Sequence, residues 1–453
     1  MCVVCRAAGA DAQPAVLAAV LAVGLSRRPL PLQGARVFAL CATMVLVPLI
    51  ALGVGRLLRA MPPAGAAAFV AGMFASVWLR NFGPRARQAG ALVALPLIAM
   101  LIVPPPSLRG PGGALAALSL TVCAGLVALV WVVAIQTPAR RAGSSAERAP
   151  AQAPRPERPG RAPSVPTRMA LQMAVALSLA FVAGFAVFPG HWAWAVLTAF
   201  IVCSGARGRG DAAYKAMLRL AGALAGTAAA ALLAALVQPG GAFEAAAIFV
   251  VLFFGLWLRE TNYAYWACAM TLVLALLSGG GLGTRLLAFR LEAILAGALC
   301  AVAATWFVFP IRTTDIVRRR LADALAALDE FVVHAHAEDE RSVKLAAFEQ
   351  HLHELDGVAA PVRLHRRFVR DDADHPARWI ELTAALRVRA TSFGLGERAA
   401  DVQRTTIRKA IGASRRAIAE HGRPQSGGST SIGAALARVR EAFDGTQPPL
   451  DMP

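Results

Sequence analysis

Runs of about twenty apolar residues, parted by short arginine-bearing loops, fill the first 309 residues of this chain. A helix needs about 20 apolar residues to cross the hydrocarbon core of a bilayer. Eleven stretches come near that length, at about 8–25, 37–55, 61–78, 88–104, 112–136, 169–188, 191–204, 216–237, 243–258, 262–278 and 286–309. With no water to satisfy an open backbone, such stretches must be helical. The pattern predicts an all-α, polytopic membrane protein with the lipid bilayer as its first partner. Composition agrees: the 453 residues are 57% hydrophobic and 16% charged, against about 45–50% and about 25% in soluble domains.

A net charge of +19 raises the question of nucleic acid. Residues 1–309 hold 24 Lys and Arg against 7 Asp and Glu, a net +17, while 310–453 hold 22 against 20, a net +2. The basic excess sits among the apolar stretches, which bilayer insertion requires and DNA binding does not. Nucleic acid is therefore excluded as a partner. Alternate loops are the arginine-rich ones: Arg27/Arg28/Arg36, Arg80/Arg85/Arg87, the segment 137–167, Arg207/Arg209/Lys215, Arg259 and Arg312/Arg318/Arg319/Arg320. By the positive-inside rule these loops and the C-terminal tail are cytoplasmic, and the N-terminus is periplasmic. The first apolar stretch has Asp11 and Pro14 near its start and no basic leader, so it does not read as a cleavable signal peptide.

Segment 137–167 carries seven prolines, arginine throughout and almost no large apolar residue. It reads as a solvated linker. It divides an N-terminal membrane repeat, 1–136, with about five helices, from a C-terminal one, 168–309, with about six. The halves match by role: "WLRNFGPRARQAGALVALPL" parallels "WLRETNYAYWACAMTLVL", and Arg36 parallels Arg219 as the arginine that opens a span. This implies two parallel repeats, five plus six. The first half lacks a counterpart to 169–188, so either a helix was lost or the start lies upstream of Met1. Residues 310–453 have helical periodicity, with Leu321, Leu325, Leu328 and Val332, and again Ile432, Leu436, Val439 and Phe443, at 3–4 residue spacing. They read as a cytoplasmic helical domain.

Charges inside apolar spans cost about 2.5–3.5 kcal/mol at mid-bilayer on insertion scales, so each asks for a reason. Arg290 and Glu292 lie in "LLAFRLEAILAGALCAVAATWFVF". Two residues apart, they face different sides of a helix and do not simply pair. One reading gives Arg290 a substrate anion and Glu292 a proton; the other is snorkelling plus an ion pair between Arg290 and Glu244. Arg219 opens its span from the cytoplasmic side, as an anchor or an anion contact. Gly222 and Gly226 permit close helix packing. His191, Trp192 and Trp194 follow Pro189-Gly190, and Tyr263, Tyr265 and Trp266 begin another span. Both groups suit either an aromatic belt or the wall of a cavity for flat ligands.

Cys2-x-x-Cys5 has no second pair to complete a zinc site. His334/His336 and His351/His353 at i,i+2 do not share a helix face. The Gly279–Gly283 run lacks the surroundings of a phosphate loop. No metal, cofactor, nucleotide or catalytic motif is read in the chain, and it is not taken as an enzyme.

The stretch "RMALQMAVALSLAFVAGFAVFPGHWAWAVLTAFIVCSGARGRGDAAYKAMLRLAGALAGTAAAALL" (168–233) strongly resembles the fusaric acid resistance protein-like family. The resemblance rests on His191, Trp192, Trp194, Ala195, Thr198, Lys215, Arg219, Gly222 and Gly226, and continues through "ETNYAYWACAMTLVLALL" and "FRLEAILAGALCAVAATWFVFPIRT". It implies a bacterial inner-membrane exporter of aromatic carboxylic acids, run by the proton gradient. Arg219, Arg290, Trp192, Trp194, Tyr263, Tyr265 and Trp266 would then hold the anion, and Glu292 or His191 would carry the proton. A homo-oligomer or a periplasmic adaptor stays open as a partner. A passive organic-anion channel and a membrane scaffold working through 310–453 are the other readings.

Overall fold

The computed structural model of the chain describes residues 52–102, 163–236, 241–259, 261–277, 284–334, 338–367, 374–392, 399–420 and 431–444, with single positions before 52 and between 123 and 130. Among these, every element is helical. In chain order they are α1 (Pro62–Trp78), α2 (Pro84–Ile102), α3 (Val165–Val187), α4 (Trp192–Cys203), α5 (Arg209–Leu236), α6 (Gly241–Leu258), α7 (Tyr263–Leu277) and α8 (Thr284–Phe307). Then come α9 (Thr313–Val333), α10 (Glu338–Asp356), α11 (Ala359–Arg366), α12 (Pro376–Ser392), α13 (Ala399–Glu420) and α14 (Ile432–Asp444).

Eight of the eleven expected apolar stretches coincide with helices, α1 to α8. Among the described residues, four helical segments are long and apolar enough to cross a membrane: Pro62–Phe82, Val165–Val187, Arg209–Leu233 and Ala288–Phe307. Shorter apolar helices are Trp192–Cys203, Ala247–Leu258 and Tyr263–Val273. The stretches at about 8–25, most of 37–55 and 112–136 lie outside the described residues, as does most of 137–167.

The end of the expected linker is helical. Ser164 caps α3, its Oγ accepting from the Thr167 amide at 3.4 Å, and Pro166 sits in the first turn. A hydroxyl cap followed by proline, whose missing N–H is not needed there, starts a helix at 165 rather than 168. Ser164 Oγ also donates to Asn81 Oδ1 (2.6 Å), and Asn81 Nδ2 donates to Thr167 Oγ1 (3.1 Å). The first WLR motif thus ends α1 and runs into a short 3-10 turn, Leu79–Phe82, tied to the start of α3. The second WLR motif, Trp257–Arg259, holds the last two residues of α6 and a turn residue shortly before α7.

The chain divides into two units. One comprises residues up to Gly205 together with Lys215–Phe309; the other comprises Ala206–Tyr214 and Pro310–Pro453. In the first, α4 lies against both α3 and α8, α3 against α1 and α8, and α1 against α2. Phe69 of α1 meets Phe181 of α3 edge-on at 5.5 Å, both fully buried. Glycines set the closest approaches: a Cβ on Gly297 of α8 would fall 2.2 Å from the Ala195 carbonyl oxygen of α4. Cβ atoms on Gly222 and Gly226 of α5 would fall 2.4 and 2.5 Å from the Ala264 and Cys268 carbonyls of α7. The GxxxG spacing therefore packs helices, backbone to backbone.

The loop 206–214, read from the sequence only as basic, belongs with the C-terminal residues. Arg209 N–H donates to Ile311 O (3.1 Å) and Gly210 N–H to Thr313 Oγ1 (3.1 Å). In this second unit Leu321, Leu325, Leu328 and Val332 of α9 are buried with Phe348 and Leu355 of α10 and Ile432, Leu436, Val439 and Phe443 of α14. Asp374 closes the bundle: its Oδ1 accepts from Trp379 Nε1 (3.0 Å), Ser431 Oγ (2.8 Å) and Gly433 N–H (3.0 Å), joining the starts of α12 and α14.

Two outcomes follow from this packing. Gly297→Leu forces α4 and α8 apart, costing about 1–3 kcal/mol for overpacking against immovable backbone, and is expected to lower the melting temperature of the detergent-purified protein. Asp374→Ala strands the Trp379 N–H and the first turn of α14, at about 1–3 kcal/mol. It is expected to loosen the second unit, read as faster amide exchange in α12 and α14 with α3, α4 and α8 unchanged.

Candidate functional site

Pro189 and Gly190, the latter at φ +95°, make the tight turn between α3 and α4. That turn brings His191 and Trp194 to the start of α4. The Trp194 ring lies 4.7 Å from His191, and the Arg290 guanidinium sits 5.6 Å over its centre. Arg290 is two turns before Gly297 on α8, so the face carrying it is the face that packs against α4. The same close approach that Gly297 permits sets Arg290 on Trp194.

Arg290 is 6% exposed and Arg219 5% exposed, and Arg290 lies within the electrostatic field of Arg219. The Nε of each is buried without a hydrogen-bond partner, and neither takes part in an ion pair among the described residues. A buried charge ordinarily has a partner. Here the charge of Arg219 reaches Arg290, and among the described residues the indole of Trp194 is what faces the Arg290 guanidinium. One turn on from Trp194, Thr198 is fully buried with a partnerless Oγ1. Arg290 thus sets guanidinium N–H donors over a flat aromatic surface, with a buried hydroxyl one turn away on α4.

The sequence placed Arg219 and Arg290 at opposite ends of their spans; tertiary folding brings their charges within mutual range. It divides the other residues. Trp192 turns away from Trp194 into α3, its ring 5.5 Å from Phe181 and 5.4 Å from Phe185. Trp266 lies under the Arg259 guanidinium at 5.9 Å, Tyr263 is half-buried and Tyr265 is exposed. Among the described residues, none of these three makes a ring contact with Trp194 or Arg290. Glu292, on another face of α8, is exposed. The Glu244 side chain, the alternative ion-pair partner for Arg290, lies outside the described residues. Gln172 was not singled out in the sequence; its Nε2 donates to the carbonyls of Val308 (3.0 Å) and Phe309 (3.2 Å) and so closes the end of α8. A lone amide in the apolar run of α3 was the available signal.

Residues 174–304 match the family model described as fusaric acid resistance protein-like. No curated protein matches the chain. The matched segment holds all of α4 to α7 and the residues His191, Trp194, Arg219 and Arg290. With the helices long and apolar enough to cross a bilayer, the match indicates a multi-pass membrane protein.

Two buried like charges within range of each other, without an acid beside them among the described residues, destabilise the protein. Arg219→Gln is therefore expected to raise the melting temperature of the ligand-free protein, by less than the ~4 kcal/mol two unit charges in contact feel at an effective dielectric of about 20. A structural ion-pair role would lower it.

Proposed function

We propose that this protein exports small aromatic carboxylic acids, or related organic anions, across a bacterial inner membrane at the expense of the proton gradient. The observation that carries this reading is buried Arg290 over the Trp194 ring, with a second buried arginine, Arg219, whose charge reaches it and no acid paired with either among the described residues. An aromatic carboxylate answers both halves of that arrangement: its carboxylate takes the guanidinium donors and its ring stacks on the indole. Binding it exchanges a charge repulsion for an attraction, so the site is fuller in purpose when occupied. In this reading His191, whose ring contacts the same indole, takes up a proton from outside, with Glu292 as the second carrier. Tyr263, Tyr265 and Trp266 lie on the cytoplasmic path toward Arg219, and Trp192 stiffens the turn that carries His191. The linker and residues 310–453 face the cytoplasm in this reading, following the arginine-rich loops.

A passive anion conductance is the second reading, favoured by one feature: the two arginines are buried without a carboxylate beside them among the described residues. The experiment that separates the two is transport of salicylate or fusaric acid in proteoliposomes under an imposed pH gradient. Gradient-driven movement is expected, with Arg290→Ala reducing it at least tenfold. Movement indifferent to the gradient selects the channel, and no movement of any aromatic acid defeats both. In the same assay His191→Gln or Glu292→Gln is expected to abolish the dependence on the gradient while downhill counterflow of the acid persists.

A further inference from the structure

His191, Trp194 and Arg290 form one contact group, and its three members are held with unequal firmness. His191 is the N-cap of α4, in a turn set by Gly190 at φ +95°; its amide donates to Phe188 O (2.9 Å) and its carbonyl accepts from the Trp194 N–H (3.1 Å). Backbone therefore fixes its place. Trp194 sits in the first turn of α4, next to Ala195, whose carbonyl lies against Gly297. Arg290 reaches the same ring from α8 on a long, flexible side chain whose Nε has no hydrogen-bond partner. The ring proposed to take the acid is faced, in this structure, by a guanidinium at 5.6 Å and an imidazole at 4.7 Å.

A neutral imidazole is an ordinary aromatic neighbour for an indole. A protonated one is a second cation on a ring whose quadrupole already attracts Arg290. Histidine is the side chain that makes this change between about pH 5 and 8. Protonation also sets a charge at the N-terminus of α4, the end where the helix dipole disfavours cations. The charge of Arg219 already reaches Arg290, so the proton brings a third positive charge into one neighbourhood. The helices packed against α4 are α3, α8 and α2, and among the described side chains they bring no acid to offset it. On α8, Glu292 is exposed on another face and Cys300 lies further along. On α3 the titratable residue is Arg168, at the end opposite His191. On α2 they are Arg85 and Arg87 in the first turn, which follows the Asn81 turn tied to the start of α3. Cys203 stands at the far end of α4 itself, and the Glu244 and Arg285 side chains lie outside the described residues.

We propose that this group is a proton-operated latch: a proton taken up by His191 drives the Arg290 guanidinium off the Trp194 ring and uncovers the indole. Arg290 is the member that moves, because His191 and Trp194 are tied to the α4 backbone while the arginine head has the length of its side chain to swing through. Opening follows falling pH: with His191 neutral the guanidinium stays on the ring, and with His191 charged it leaves. The released guanidinium keeps its donors for a carboxylate, so one step readies both the ring and the cation. The proton's origin on the outer side, and the acid that then meets the indole, rest on the transport reading above.

The test reads the ring directly in the full-length, detergent-purified protein labelled with 5-fluorotryptophan. The Trp194 fluorine resonance is assigned by its loss in W194F, and its shift between H2O and D2O buffers reports how far solvent reaches the ring. In the wild type this solvent isotope shift is expected to at least double between pH 8 and pH 5. In H191Q it stays at its pH 8 value throughout; that variant keeps the other seven histidines, all within 334–421, so a change surviving in it belongs to them. In R290Q the ring is uncovered at both pH values, whereas R290K, which keeps a cation on the ring, follows the wild type; circular dichroism at each pH confirms that every variant is folded. An unchanged solvent shift in the wild type, the same change in H191Q, or a ring as covered in R290Q as in the wild type at pH 8 overturns the latch. Salicylate movement in proteoliposomes is scored separately. Transport without uncovering of Trp194 overturns the latch and leaves the transport reading standing; uncovering without transport of any aromatic acid supports the latch and defeats that reading.

Discussion

Direct backbone contact between α4 and α8 holds the membrane unit's chemistry in place. Helix α4 is only twelve residues long and is wedged between α3 and α8. Without a side chain at Gly297, the α8 backbone lies on the Ala195 carbonyl, one residue from Trp194. Gly184 does the same on the other flank, where a Cβ would stand 2.9 Å from the Trp192 Cβ. In lipid, where helices gain nothing from hiding apolar surface, close approach of this kind supplies the association through dispersion and shape. The placement of Arg290 over Trp194 follows from it.

On that frame the membrane unit carries an electrostatic debt. Desolvating one guanidinium is unfavourable, and desolvating two within range of each other is more so. The indole face of Trp194 offsets part of the cost by cation–π attraction, about 2 kcal/mol when desolvated. The rest has no counter-ion among the described residues. In the proposed reading, an anion that neutralises this pair would convert its binding into a change of state, as a transporter needs.

The C-terminal unit is held differently. Its core is a conventional apolar bundle, and polar groups act at its seams: Asp374 gathers three donors from two helix starts, and Arg389 holds the Asp444 carboxyl below the usual carboxylate range by a direct hydrogen bond. Charge on its surface is mostly paired, as with Arg366–Glu381 and Arg387–Glu349.

Periodicity and span length are local properties, so helix positions, the apolar stripe of α9 and the boundary after Phe309 were legible in the residues. Capping is local too, yet Ser164-x-Pro166 was hidden inside a proline-rich run, and the start of α3 was misplaced by a few residues. The sequence by itself determined that the chain enters a bilayer, which residues are too polar to lie there without cause, and that a fusaric acid resistance-like segment runs through its middle. It could not pair residues distant in the chain. Which of two tryptophans meets an arginine, that Arg219 shares a field with Arg290 across some seventy residues, and that residues 206–214 join the C-terminal bundle were decided only by tertiary packing. Helix rotation and approach depend on which small residues meet across an interface, and a pattern within one helix does not record its neighbour.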